Sequence, residues 1–124
     1  MKIEFGNPRL LPVRRNTPFE IKGTAFVEGF KEPVGFSLSV DMYHIEATID
    51  PIFQAKKLYE LLRGLFTKFS EQERGLAGGN RSPLVCSWEL VPEKWPELLK
   101  AVEKSIGKEW AEAFGTSAKA RENR

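Results

Sequence analysis

"VGFSLSVDMYHIEATI", residues 34–49, decides the fold. Val34, Phe36, Leu38, Val40 and Met42 alternate with Gly35, Ser37, Ser39 and Asp41. An apolar residue at every second position marks a strand with one face on a core and the other outward. The phase then inverts, because Tyr43, Ile45, Ala47 and Ile49 carry the apolar side and His44, Glu46 and Thr48 oppose them. Side-chain direction has a period of two, so the inversion demands a bulge or a strand break near residues 42–44.

Upstream, Phe19, Ile21, Ala25 and Val27 alternate with Glu20, Lys22, Thr24 and Glu28, a second strand of the same kind. "GFKEP" at 29–33 joins the two as an antiparallel hairpin. Before them lie a short strand at 2–5 and an extended edge segment near 9–14. Pro8, Pro12 and Pro18 keep this region out of a central ladder position.

Helix signals follow. Asp50 and Pro51 suit an N-cap and first helical position. Leu58, Leu61, Leu62, Leu65, Phe66 and Phe69 form one broad apolar face, and Gly75 is the expected stop. "LVCSWELV" at 84–91 is apolar on both sides, as expected of a central or parallel strand. A second helix starts between Pro92 and Pro96, buries Leu99, Val102, Ile106, Trp110 and Phe114, and ends at Gly115. Residues 116–124 are small, polar and charged, which predicts a disordered tail.

The order ββ(β)αβα predicts an α+β fold: a mixed, mostly antiparallel sheet of four or five strands with two helices on one face. A parallel neighbour after the first helix would make one right-handed crossover. With 124 residues, 41% hydrophobic and 29% charged, the chain is expected to form a single domain over 1–115. A lone cysteine, Cys86, and the lack of a signal-like or spanning apolar run lead to an expectation of a cytoplasmic protein with no membrane partner.

The glycine-rich "GLAGGNRSP" at 75–83 superficially resembles a phosphate loop. Phosphate loops follow a strand and open a helix, whereas this one is expected to follow a helix and open a strand. It therefore reads as a connector, with Arg81 as its one candidate contact. His44 is the only histidine, so a nucleophile pair would have to join it to Cys86, a thiol set among apolar neighbours. Two such ligands are too few for structural zinc. Asp41, Glu46, Glu89 and Asp50 supply carboxylates without a diagnostic spacing. No cofactor and no catalytic residue is expected.

A net charge of +2, nineteen basic against seventeen acidic residues, does not by itself imply nucleic acid. The basic excess is concentrated at the two ends. Lys100, Lys104 and Lys108 recur at steps of four and so would share one helix face. Arg9, Arg14, Arg15, Phe26 and Phe30 crowd the N-terminal segment and first hairpin. Arginine and aromatic residues are enriched in interface cores. The leading expectation is thus a non-enzymatic regulatory module, an accessory or inhibitory factor docking on a larger protein or nucleoprotein complex. The alternatives are single-stranded nucleic acid binding, where aromatics stack bases and arginines neutralise phosphates, and a small hydrolase or transferase using carboxylates or His44. An edge strand could also pair two copies.

Overall fold

A computed structural model describes residues 3–12, 19–50, 52–77 and 84–122. The inversion near residue 42 is a strand break. Strand β4 (Val34–Val40) and strand β5 (His44–Asp50) pair antiparallel with Val40 opposite Ile45. Between them the Asp41 N–H donates to the His44 carbonyl at 2.9 Å, and the Tyr43 N–H donates to Asp41 Oδ1 at 2.7 Å. Each strand keeps its own strict alternation, and the turn changes the parity.

Strand β3 (Phe19–Val27) pairs with β4 in the expected hairpin, Ile21 opposite Leu38 and Ala25 opposite Val34. Its turn uses Gly29 at φ +97°, a conformation that favours glycine. The N-terminal segment forms two short strands, β1 (Ile3–Phe5) and β2 (Arg9–Pro12), along the other side of β3. Phe5 lies opposite Ala25 and Arg9 opposite Lys22, so the edge carries one extra residue between them. That bulge changes the phase: Ile3 and Phe5 pack on the core from β1, and Leu10 from β2. The Gly6 N–H bonds the Thr24 carbonyl at 2.8 Å, while the Gly6 carbonyl accepts from the Trp110 indole at 2.8 Å.

Helix α1 spans Ile52–Phe66, shorter than the sequence pattern suggests. A single 3-10 turn, Thr67–Phe69, follows, and the Ser70 hydroxyl donates to the Phe66 carbonyl at 2.6 Å. The polar run after it, expected to continue the helix to Gly75, is instead strand β6 (Ser70–Ala77). It pairs antiparallel with β7 (Leu84–Leu90), and β7 pairs antiparallel with β5. Strands β5 and β6 are therefore parallel but separated by β7, so among the described residues no two neighbouring strands are parallel. The glycine-rich stretch links two antiparallel strands, so the expected helix-to-strand connector is corrected to a strand-to-strand one; residues 78–83, with Arg81, lie outside the described residues. Among the described residues the sheet runs β1-β3-β4-β5-β7-β6, with β2 also on β3, which corrects the strand count there from four or five to seven.

Among the described residues, only one set of alternating sheet positions is buried. Ile21, Ala25, Phe36, Leu38, Ile45, Ala47, Cys86 and Trp88 all belong to it. The helical layer covers this face. Leu58, Leu62 and Phe66 come from α1, Leu98 and Val102 from α2 (Trp95–Ser105), and Trp110, Ala113 and Phe114 from α3 (Lys108–Glu122). Trp110 stacks on Phe36 with centroids 5.1 Å apart, and Phe5 meets both rings edge-on. The described residues thus form an antiparallel α+β structure with three helices.

The predicted second helix is in fact two. Gly107, at φ +153°, sends its N–H to the Val102 carbonyl at 3.0 Å, beside the Ile106 N–H at 2.8 Å, and ends α2. Helix α3 then passes through Gly115 to Glu122, which corrects the disordered tail over most of its length. Small Ser117 and Ala118 are both buried, and the Ser117 hydroxyl donates to the Val40 carbonyl at 2.8 Å. The composition that suggested disorder is what lets the helix lie close to β4.

Candidate binding face

The helices cover one side of the sheet. On the other side, among the described residues, the alternate positions are half-buried or exposed: Lys22, Thr24, Phe26, Ser37, Glu46, Thr48 and Asp50. Register arranges them in rows. Arg9, Lys22, Ser37 and Thr48 lie opposite one another across β2, β3, β4 and β5. With strands about 4.8 Å apart, the row is about 14 Å long. Beside it run Thr24, Gly35 and Asp50. Gly35 leaves the floor bare: a Cβ there would meet only the Asp50 carbonyl, at 3.6 Å. These two rows, with Asn7 from the bulge, line an open hollow of about 500 Å³.

Phe26 and Phe30 lie further along, around the β3–β4 turn. They are 50% and 37% exposed and share a depression of about 260 Å³ with Glu4 and Glu28. Phe26 stands opposite Glu4. The contact set expected from sequence is thereby divided. Arg9 joins Lys22 in the hollow, while the two phenylalanines sit at the hairpin end within an acidic border. Arg14 and Arg15 lie outside the described residues.

The proposed nucleophile pair is ruled out by the pleat. Cys86 lies opposite Ala47 on the core side, whereas His44 alternates with core-facing Ile45 and stands opposite Glu89 on the other side. Burial, with Glu73 and Glu46 adding to it, pushes the Cys86 thiol up to about 12, far from a reactive thiolate at neutral pH. Asp41 is engaged with the backbone of its own turn. Neither hollow includes Asp41, His44 or Glu46. Among the described residues no group of three or more His, Cys, Asp or Glu could hold a metal ion.

One further charged grouping is structural. Glu73 on β6 accepts from the Tyr59 hydroxyl at 3.0 Å and pairs with Arg63 Nε at 3.1 Å, tying the edge strand to α1. Burial, then the bond to Glu73, raises the Tyr59 pKa. Lys100 and Lys104 are exposed on α2, but Lys108 begins α3 beyond the Gly107 break, so the three do not form one continuous helical track.

Lys22, Gly35, Ser37 and Thr48 were not singled out from sequence. Their outward phase was legible, but only the cross-strand register makes them a group. The chain matches no protein-family model, no curated protein and no solved structure. No helix among the described residues is long and apolar enough to cross a membrane.

Proposed function

We propose that this protein is a non-enzymatic binding module that docks on a larger protein, alone or within a nucleoprotein complex, and modulates it. The supporting observation is the pairing of two exposed phenylalanines at the β3–β4 turn with a carboxylate border. Large aromatic side chains held on a short hairpin make good anchors, since little side-chain freedom is lost when they are covered. Glu4 and Glu28 favour a partner with a basic rim and repel a phosphate backbone. The interaction belongs in the cytoplasm in this reading, and pairing of two copies through edge strand β6 is a secondary mode.

The test is affinity purification of the tagged full chain beside a Phe26→Ser/Phe30→Ser variant whose fold is checked by circular dichroism. A protein recovered with the parent, identified, and lost with the folded variant supports docking at this turn. Equal recovery rejects it.

Arg9 beside Lys22 is the observation favouring the second reading, single-stranded nucleic acid. That reading expects a mobility shift at low salt and an affinity that falls steeply as salt rises.

A further inference from the structure

We infer that the hollow over Gly35 is a binding site for a small, hydroxyl-bearing phosphate monoester. This does not depend on the docking proposal, which concerns the other end of β3.

Arg9 and Lys22 are directly opposite each other on neighbouring strands. Like charges in that position oppose strand pairing. Among the described residues neither has an ion-pair partner that would offset the repulsion. A bound anion offsets it. The pair presents two positive charges, and a phosphate monoester carries about two negative charges at neutral pH. Arginine supplies a planar fork of donors and lysine a compact ammonium, a combination suited to several oxygens around one phosphorus.

The rest of the lining matches the body of such a ligand. Ser37 and Thr48 continue the row away from the cations, and Thr24 and Asn7 flank it. These groups both donate and accept. Asp50 closes the neighbouring row, across Gly35 from Thr24 and two strands from Lys22, where a carboxylate accepts from ligand hydroxyls. Gly35 itself is what makes room. Its backbone does not require glycine, and a Cβ there meets nothing closer than 3.6 Å. A side chain at this position would fill the hollow without disturbing the core.

The probes are inorganic phosphate, ribose 5-phosphate and an oligothymidylate, titrated into the isotope-labelled full chain and followed by amide chemical shifts. Ribose 5-phosphate should give saturable shifts centred on Lys22, Gly35, Ser37 and Thr48. Arg9→Gln and Lys22→Gln should each weaken it by about ten-fold, the loss of one charge-assisted hydrogen bond. Asp50→Asn should weaken ribose 5-phosphate and leave inorganic phosphate unchanged. Gly35→Val should remove binding of both while amide shifts in α3 stay in place. Non-saturating shifts at millimolar ligand, or affinities unaltered by Arg9→Gln and Lys22→Gln, overturn the inference. Saturable binding of oligothymidylate alone also overturns it, because the row would then serve a polymer backbone.

Discussion

The six-membered ring of Trp110 lies directly over Gly23, so a methyl group added to Gly23 would fall inside the indole. Glycine is needed there for space and not for its backbone freedom. Gly23→Ala should displace the ring from Phe36 and pull its N–H away from the Gly6 carbonyl. Overpacking of this kind costs about 2 kcal/mol. Gly35→Ala, on the open side of the same sheet, should leave stability unchanged or slightly raised. Urea unfolding of the two variants side by side checks the contrast.

Ser117 buries its hydroxyl completely in a bond to the Val40 carbonyl. Ser117→Ala should lower stability by about 1 kcal/mol, the net worth of one such bond. Removal of residues 116–124 should cost more, since it also removes buried Ala118. A midpoint for the truncated chain equal to that of the full chain in denaturant titration would contradict the described packing of α3.

Cys86 gives the protein an alkaline weakness. The thiol ionises near 9 when unfolded but is held to about 12 in the folded chain, mainly by burial. Above pH 9 the unfolded state therefore binds fewer protons than the folded one, and stability falls as pH rises towards 12. Cys86→Ala should flatten that part of the stability profile. At pH 8 the native thiol should resist alkylation until denaturant is added, a difference that mass spectrometry reads directly.

The strands at the centre of the sheet were legible because each buries one face, and Ile21 to Val27, Val34 to Val40 and Ile45 to Ile49 keep strict alternation. The helical stripe at Leu58, Leu62 and Phe66 was legible for the same reason at a different period. β6 was not, because "SEQERG" offers almost no apolar side chain and is held by pairing with β7 and by Glu73 reaching α1. The break at Gly107 was hidden by Ile106 and Trp110, which fit one stripe across two helices. On the open face, Arg9 and Phe26 were recognisable as exposed residue types. Their separation, and the company of Lys22 and Gly35, came only with register.

The additional residue in the edge segment between Phe5 and Arg9 fixes which way everything after it points. Were the ladder to run straight through Gly6, Asn7 and Pro8, Arg9 would stand opposite buried Ile21, its guanidinium turned towards the oily interior and Leu10 towards water. The offset is thus what holds the basic pair on the open face, and loss of one of these three residues would let a regular ladder keep Arg9 opposite Lys22.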